Sequence, residues 1–367
     1  MAKTAACFHG LRRRRSRGLV AAVALATATA SAAGPAGAAG ASPNPVGPGP
    51  ETPTGSSGPA AGGLWPNGWN RCAAARQRSE RRIRGPAGRL FVLWVPRAPH
   101  APDRGAVVLA HGAGSPGSAT WDLTPDSHSA LRTLACAGFD AYAFDARGFG
   151  GSDGPAAMKG SAEGEPLVRA EDAARDLAAV VAFAQAESGV ERVHVVGWSW
   201  GCVVAGTYAG REPDQVRRLA LFAPVYDRQL ASRHVTDRRW REESKALHRK
   251  LHAPSRESKA VHRAFVQALF RFTDRDVLRI PNGAYRDLYG PDAPVWDPGR
   301  IRAPTLVIRG GRDRASRRGP ALRLLDALSR APHRRYVELA GAGHFAFRRH
   351  PHRQLYAELI VFLAGPP

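Results

Sequence analysis

The stretch "VHVVGWSWGC", from Val193 to Cys202, carries the strongest fold signal in the chain. Its first half is an apolar, β-branched run typical of a buried strand, and it leads into Gly-Trp-Ser-Trp-Gly. The letters that follow, "VVAGTYAG", are typical of a buried helix. A strand that passes into a helix through two glycines and one serine predicts a very tight turn with the serine at its tip.

Ser199 is the candidate nucleophile of this turn. A Gly-x-Ser-x-Gly pattern between a strand and a helix holds the serine at strained backbone angles and raises its hydroxyl above the sheet edge. Gly197 and Gly201 are required because a Cβ at either position would collide with neighbouring backbone. The pentapeptide by itself is common in proteins. The prediction that Ser199 is a nucleophile therefore depends on its place between a strand and a helix. The bulky rings of Trp198 and Trp200 are expected to narrow the space around the hydroxyl.

Short apolar runs alternate with helical stretches from Arg89 onward, and this alternation predicts the fold class. Continuous apolar strands separated by helices indicate an α/β protein with a mostly parallel, doubly wound sheet covered on both faces. Right-handed crossovers then place the carboxyl ends of the strands along one edge, where ligands bind. The predicted strands are "RLFVLWV", "AVVLAHG", "FDAYAFDARG", "RVHVVGW", "RRLALFAPV", "PTLVIRG" and "RRYVEL".

The alternation stops between Tyr226 and about Pro298, which is too long a stretch for a loop. It contains apolar residues at helical spacing, namely Val261, Phe265, Leu269 and Phe272. We therefore predict a helical cap, residues 226–298, inserted over the carboxyl edge. The α/β core then comprises residues 64–225 and 299–367.

A serine hydroxyl becomes a good nucleophile when a base takes its proton and a third group orients that base. In this architecture the chain order is serine, acid, histidine. Asp313 follows the strand "PTLVIRG", and His344 lies in the glycine-flanked loop "LAGAGHFAF" after the last strand. Both are predicted to meet Ser199 at the carboxyl edge. Asp227, shortly after the strand "RRLALFAPV", is a rival acid within reach of His344.

Attack on a carbonyl creates an oxyanion that needs preorganised donors. The backbone N–H of Trp200 is one candidate donor. The stretch "LAHGAGSPG" follows a strand and offers the backbone N–H of Ala113 as the second, because Gly112 and Gly114 allow close approach of the backbone. His111 is expected to brace this loop by side-chain hydrogen bonding and not to transfer protons.

The stretch "DARGFGGSDG", Asp145 to Gly154, follows the next strand and has the residue types of a second site. Asp145, Arg147 and Ser152 supply a carboxylate, a guanidinium and a hydroxyl. We expect them to form a tight hydrogen-bonded turn that supports the neighbours of the Ser199 turn.

The composition is that of a globular protein with a large basic excess. The chain has 367 residues, a hydrophobic fraction of 44% and a net charge of +22, with only five lysines among 53 basic residues. Nucleic-acid binding is one interpretation of this excess. The arginines are spread along the chain and accompany abundant alanine, glycine and proline, which a GC-rich coding sequence also produces. No specific nucleic-acid partner is therefore predicted.

The first 33 residues have the pattern of an export signal. Lys3 and the arginines at 12–15 and 17 precede the weakly apolar run "GLVAAVALATATA", which is too short to span a bilayer, and small residues then offer cleavage at Ala32 or Ala33. The arginine pair fits the twin-arginine route loosely, and the Sec route remains open. Residues 34–63 have the composition of a flexible linker. No second long apolar run follows, so no transmembrane segment is predicted in the mature chain.

Four cysteines place few constraints on the protein. Cys7 would leave with the signal, and the odd number that remains permits at most one disulfide and a free thiol. No pair of cysteines has metal-ligand spacing. Cys202, just inside a predicted helix, is interpreted as a small buried hydrophobic residue.

Five motifs occur in a fixed order along the chain. They are His-Gly at 111–112, Asp-x-Arg-Gly-x-Gly-x-Ser at 145–152, Gly-x-Ser-x-Gly at 197–201, Gly-x-x-Asp at 310–313 and Gly-x-Gly-His at 341–344. Over about residues 89–363 the chain resembles the α/β-hydrolase superfamily, in particular its capped branch of lysophospholipases and serine aminopeptidases. Cys202 departs from the pattern, since many members have another glycine there.

The resemblance implies a serine hydrolase without cofactor or metal, with Ser199, Asp313 and His344 as its triad. Its small-molecule acyl substrate would be an ester, thioester, lactone or amide cleaved through an acyl-enzyme. An exported esterase or lipase-like hydrolase is the main hypothesis. Neither the preferred acyl group nor the oligomeric state can be read from the sequence.

Two alternatives remain open. A serine aminopeptidase of the same fold needs acidic residues in the cap to hold a substrate ammonium. Glu242, Glu243 and Glu257 are available there, although arginine and histidine outnumber them. The other alternative is a catalytically inactive hydrolase fold that acts as a binding module.

Overall fold

The structure, a computed structural model, describes residues 78–124, 128–226, 235–251, 258–349 and 351–366. All of these belong to the second of two compact units, Gly40–Pro367. The predicted export signal (1–33), the predicted linker (34–63) and the rival acid Asp227 lie outside the described residues, as does Glu257.

Eight strands form one sheet in the order β1-β2-β4-β3-β5-β6-β9-β10, and two more form a separate pair, β7-β8. The strands are β1 Ser79–Gly85, β2 Gly88–Val95, β3 Ala106–Ala110, β4 Asp140–Phe144, β5 Val193–Trp198, β6 Val216–Phe222, β7 Trp240–Ser244, β8 Val277–Pro281, β9 Thr305–Gly310 and β10 Arg334–Leu339. From β4 to β10 every neighbouring pair in the large sheet is parallel, whereas β2 pairs antiparallel with both β1 and β4.

Nine α-helices are described alongside these strands. They are α1 Gly117–Thr120, α2 Ala130–Cys136, α3 Ala170–Ser188, α4 Trp200–Arg211, α5 Lys245–Leu251, α6 Lys259–Leu269, α7 Gly283–Tyr289, α8 Arg318–Ala327 and α9 His352–Leu363. Helix α3 ends at Gly189, whose φ of 64° is the left-handed conformation that glycine adopts readily at a helix end. The predicted α/β fold with a mostly parallel sheet is confirmed.

The buried strands explain why the apolar pattern identified the sheet. Every residue of β3, β5 and β9 is buried, as expected for strands that helices cover on both faces. The edge strand β1 is different. Its sequence "SERRIRG" is charged and largely exposed, and it is held by residue-by-residue pairing with β2. No apolar alternation indicates such a strand, so the sequence did not predict it.

The stretch between β6 and β9 contains α5, α6 and α7 together with the antiparallel pair β7-β8. The sequence predicted only helices here. Val261, Phe265 and Leu269 are buried on one side of α6, as their spacing predicts. Phe272 lies beyond the end of α6, where its ring contacts Phe91 of β2 edge to face at 4.9 Å.

Four loops that carry predicted site residues leave the carboxyl ends of strands in the large sheet. The loop with His111 and Ala113 follows β3, Ser199 follows β5, Asp313 follows β9 and His344 follows β10. Parallel pairing brings these strand ends to one edge of the sheet. Among the described residues, no helix combines the length and the apolar character needed to cross a bilayer.

Candidate active site

The turn at Ser199 has the strained geometry that its glycines predict. Ser199 has φ 56° and ψ −116°, outside the regions that a side chain normally allows. A Cβ on Gly197 would lie 2.3 Å from the carbonyl oxygen of Gly201. A Cβ on Gly201 would lie 2.4 Å from the carbonyl oxygen of Ala110. Both distances are well inside van der Waals contact, so each glycine is sterically required.

Ser199, His344 and Asp313 form one continuous line of hydrogen bonds. The Oγ of Ser199 is 3.0 Å from the Nε2 of His344. The Nδ1 of the same ring is 2.8 Å from the Oδ2 of Asp313. An ionised carboxylate only accepts, so Nδ1 carries the proton and Nε2 of the neutral ring accepts from the serine hydroxyl. The ring is therefore held in the tautomer that can take a proton from Ser199.

The carboxylate of Asp313 is fully enclosed, with 0% of its side chain exposed. Its Oδ1 accepts from the backbone N–H groups of Ala315 and Ser316, both at 2.9 Å. Arg309 supports the same turn by donating to the carbonyl oxygens of Ser316 and Asp313. With Oδ1 held by the backbone, Oδ2 faces His344, so the turn fixes the direction of the acid.

The loop that carries His344 is fastened to the turn that carries Asp313. The backbone N–H of Arg312 donates to the carbonyl of Ala342 at 2.8 Å. Gly310 makes this approach possible, since a Cβ there would lie 2.4 Å from the same carbonyl oxygen. The distance between acid and base is thus set by backbone contacts as well as by their own hydrogen bond.

The loop after β3 packs directly against the Ser199 turn. A Cβ on Gly112 would lie 3.3 Å from the Cβ of Ser199. Ala113 follows in this loop, and Trp200 is the first residue of α4. Among the described residues, neither backbone N–H donates to a protein acceptor. Within the described part of the chain, both N–H groups are therefore without a backbone acceptor, as the predicted role requires.

His111 braces this loop, as predicted. The backbone N–H of Ala146 donates to Nε2 of His111 at 3.1 Å, so Nδ1 carries the ring proton and donates to the carbonyl of Gly112 at 2.8 Å. Burial lowers the pKa of His111 to about 4, which keeps the ring neutral. The C=O and N–H of a trans peptide point in opposite directions. By holding the carbonyl of Gly112, His111 therefore orients the N–H of Ala113.

The turn after β4 forms a buried hydrogen-bond network apart from this line. Asp145 accepts from the backbone N–H groups of Ser118 and Gly151, each at 2.8 Å. Arg147 makes a two-pronged ion pair with Asp176 on α3. Burial raises the pKa of Asp145 to about 6. The turn has the structural character that the sequence predicts.

The sequence did not predict the contacts of the two tryptophans around Ser199. Both rings are buried. The indole N–H of Trp198 donates to the carbonyl of His344, and that of Trp200 donates to the carboxylate of Asp287 on α7, each at 3.0 Å. The only available sign in the sequence was a pair of rings with N–H groups beside the serine. Nothing in the sequence identified the carbonyl of His344 or the carboxylate of Asp287 as their partners.

Helix α7 also reaches the loop after β3. A Cβ on Gly114 would lie 3.2 Å from the hydroxyl oxygen of Tyr285. The guanidinium of Arg241 on β7 lies over the Tyr285 ring at 3.7 Å from its centre. Side chains of the insertion therefore border the space beside Ala113.

Other groups near the turn serve packing. The thiol of Cys202 is buried and directed at the carbonyls of Gly197 and Phe222, and burial raises its pKa well above the usual range. In the part of the chain that the structure describes, no group of three or more His, Cys, Asp or Glu side chains has the arrangement of a metal site.

Comparison with known proteins agrees with the observed fold. A family model for the alpha/beta hydrolase fold matches residues 105–351. The human (lyso)-N-acylphosphatidylethanolamine lipase is 33% identical over 133 residues, 36% of this chain and 34% of that protein. The match therefore spans about a third of the curated relative's length.

Solved structures show the same fold at low identity. A serine hydrolase from Cycloclasticus zankles is 17% identical with a TM-score of 0.57, over 78% of this chain and 98% of that one. The enol-lactonase from Burkholderia xenovorans is 19% identical with a TM-score of 0.53, over 78% of this chain and 100% of that one. The chain belongs to the α/β-hydrolase family.

Proposed function

We propose that this protein is an exported serine hydrolase that cleaves carboxylic ester bonds through an acyl-enzyme, with lactones and thioesters as related substrates. The hydrogen-bonded line Ser199–His344–Asp313 is the observation that carries the proposal. A partly buried, oriented imidazole beside a strained serine supports nucleophilic catalysis.

In the first half of the reaction, Nε2 of His344 takes the hydroxyl proton while Oγ of Ser199 attacks the carbonyl carbon of the substrate. The oxyanion accepts from the N–H groups of Ala113 and Trp200. When the tetrahedral intermediate collapses, the bond to the leaving oxygen breaks and His344 returns the proton to the departing alcohol. The acyl group stays on Ser199.

In the second half, His344 takes a proton from water, whose oxygen attacks the acyl carbon. The ester bond to Ser199 then breaks, its Oγ regains the proton and the carboxylic acid leaves. Asp313 stays ionised, orients the ring and stabilises the imidazolium that forms twice in the cycle. Its enclosed carboxylate suits this role because little water screens the pair.

The paired state of two cap carboxylates favours ester over aminopeptidase activity. Glu242 is engaged by Arg279 at 3.0 Å, and Glu243 by His248 at 2.8 Å. A substrate ammonium bound at either glutamate would have to displace that partner. The similarity to a human lipase over 133 residues also favours ester substrates.

Labelling and turnover together test this proposal. A fluorophosphonate probe should label the wild-type protein, and Ser199→Ala should abolish both labelling and hydrolysis of an aryl ester. Ser188→Ala is a matched control, since that hydroxyl contacts Tyr142 away from the site. Unchanged labelling of Ser199→Ala would refute the nucleophile. Faster turnover of aminoacyl arylamides than of aryl esters would favour the peptidase.

Export is proposed from the pattern of residues 1–33. Secretion in a bacterial host followed by N-terminal sequencing should find the mature chain beginning after Ala32 or Ala33. Replacing Arg14 and Arg15 by lysine should block export by the twin-arginine route and leave Sec export intact. A full-length product in the cytoplasm would contradict the proposal.

A further inference from the structure

The two tryptophans that flank Ser199 donate their indole N–H groups to different parts of the molecule. Trp198 bonds to the backbone carbonyl of His344, and Trp200 bonds to Oδ2 of Asp287, each at 3.0 Å. A buried indole N–H normally has a partner, but here the partners are the loop of the base and a helix of the insertion. The residues next to the nucleophile thus connect it with two separate regions.

We propose that Trp198 and Trp200 are positioning residues with separate tasks. Trp198 holds His344 within reach of Ser199, and Trp200 holds the insertion in register with the substrate space through Asp287. The inference rests on the proposed hydrolase function. Trp198 supports the chemical step, and Trp200 supports substrate binding.

The contacts of Trp198 are concentrated on the loop of the base. Its ring packs edge to face against Phe345 and Phe347, with ring centres 5.3 and 4.8 Å away. His344 itself follows Gly341 and Gly343, so its loop has a backbone with few intrinsic restrictions. The hydrogen bond to the carbonyl of His344 removes this freedom at the residue that must face Ser199.

Trp198 also lies against the loop after β3. A Cβ on Gly112 would lie 2.8 Å from the six-membered ring of Trp198. One rigid ring therefore separates the loop that carries His344 from the loop that carries Ala113. Without this ring, we expect His344 to be held less firmly relative to Ser199. The rate of the chemical step should then fall.

The indole N–H of Trp200 is directed away from the base and into the insertion, whereas its ring lies with its centre 5.9 Å from those of His111 and Phe149. Besides the indole, the Asp287 carboxylate accepts from the backbone N–H of Ala170 at 2.6 Å and from the guanidinium of Arg169. The backbone N–H of Gly283, at the start of α7, donates to the carbonyl of Leu167 at 2.8 Å. Helix α7 is therefore attached at two points to the segment that precedes α3.

The packing of this attachment is close and partly strained. A Cβ on Gly283 would lie 2.3 Å from the carbonyl oxygen of Val168, and Val168 itself has φ 62°, a conformation that β-branched residues rarely adopt. Tyr285, two residues before Asp287 on α7, is the residue whose hydroxyl borders Gly114. The bond between Trp200 and Asp287 thus fixes the position of α7 beside the substrate space. The backbone N–H of Trp200 belongs to α4 and takes no part in this bond.

Trp198→Phe and Trp200→Phe separate the two tasks, because each removes an indole N–H and keeps an aromatic ring. For Trp198→Phe we expect kcat on an aryl ester and the rate of fluorophosphonate labelling to fall together, about tenfold to hundredfold, with KM within about twofold. For Trp200→Phe we expect KM to rise about fivefold or more, with kcat and labelling by a small probe within about threefold.

Trp94→Phe is the matched control. Trp94 stacks on Tyr142 in the sheet, and its buried indole N–H has no partner among the described residues. Its kinetics should equal those of the wild type. If a phenylalanine variant does not fold by circular dichroism, benzothienylalanine at the same position keeps the ring size and replaces the N–H by sulfur.

The outcomes separate the inference from the function on which it rests. If the wild type is labelled but Trp198→Phe matches Trp94→Phe, the task of Trp198 is refuted. Equal losses of kcat in both variants, with KM unchanged, refute the division of tasks. If the wild type itself is neither labelled nor active on esters, the proposed function fails first.

Discussion

Asp145 and Asp313 are buried aspartates that follow parallel strands β4 and β9, yet only Asp313 contacts an imidazole. Both carboxylates accept two backbone N–H groups, from Ser118 and Gly151 in one turn and from Ala315 and Ser316 in the other. The Asp145 carboxylate also accepts from the Ser118 hydroxyl, whereas Oδ2 of Asp313 accepts from His344. Burial and backbone donors therefore shape a turn, and a titratable partner is needed before the turn can take part in catalysis.

Asp313→Asn should have the largest effect on this pair. The amide oxygen is needed by the backbone N–H groups of Ala315 and Ser316, so the amide NH2 group faces Nδ1 of His344 and donates to it. The tautomer that deprotonates Ser199 is then no longer favoured. We expect kcat to fall about 10³- to 10⁴-fold, measured with an aryl ester. The melting temperature of the variant should be compared with that of wild type to exclude unfolding. A loss below about tenfold would instead favour Asp227 as the acid, with Asp227→Asn as the next variant.

The pH dependence of stability should show that burial of Asp145 disfavours its charged form more than its hydrogen bonds favour it. Burial raises its pKa in the folded protein from the usual 3.8 to about 6. The folded state therefore prefers the protonated form, and this contribution to stability is complete below pH 3.8 and is lost as the pH rises through about 6. Relative to Asp145→Asn, the wild type should lose about 2 kcal/mol of unfolding free energy between pH 4 and pH 7.

Urea unfolding of both proteins at several pH values measures this difference. The asparagine variant removes the titration of this one group, so the effects of other carboxylates cancel in the comparison. If the wild type gains relative stability as the pH rises, the three donors to Asp145 outweigh its burial, and its pKa lies below the usual range.

Gly310→Ala should weaken the connection between the acid turn and the loop of the base. Its Cβ would lie 2.4 Å from the carbonyl oxygen of Ala342, so the loop that carries His344 must shift. We expect a loss of about tenfold to hundredfold in kcat, since a displacement of about 1 Å has effects of this size. Gly343→Ala is the control in the same loop, because a Cβ there meets nothing within 4 Å. Equal activity of the two variants would contradict the contact.

Asp145→Asn should have the smallest effect on turnover. The turn after β4 touches the site through the bond from Ala146 to His111, and this bond uses backbone that the substitution leaves in place. We expect kcat within about threefold of wild type at a temperature where the variant is folded. A hundredfold loss in a folded variant would show that the carboxylate itself orients the loop after β3.

The residues of the site could be identified from sequence because their chemistry depends on short local patterns. Ser199, Asp313 and His344 each follow an apolar strand in a glycine-containing turn, and parallel strands end at one edge. Gly197 and Gly201 were predictable for the same reason, since a tight turn excludes Cβ atoms within a few residues. His111 bonds to its neighbour Gly112 in the same loop, whereas its other partner, the N–H of Ala146, comes from the loop after β4.

The contacts made by Trp200, Asp287 and Tyr285 could not be predicted in this way. They join α4 with α7 across a long insertion that has no periodic signal linking it to the core. Strand β1 was missed because its charged residues form no apolar pattern, and its pairing with β2 provides its order. The pair β7-β8 was missed because strands of five residues give a weaker periodic signal than the longer helical stretches around them.

Local steric rules and apolar periodicity made the α/β sheet and the strained serine turn predictable from the chain alone, together with the positions of Ser199, Asp313 and His344 after strands of that sheet. The insertion's strand pair, the partners of the two indoles and the fastening of the loop with His344 to the turn with Asp313 emerged only with the folded protein. These contacts join residues far apart in the chain, where spacing carries no information and close packing decides which groups meet.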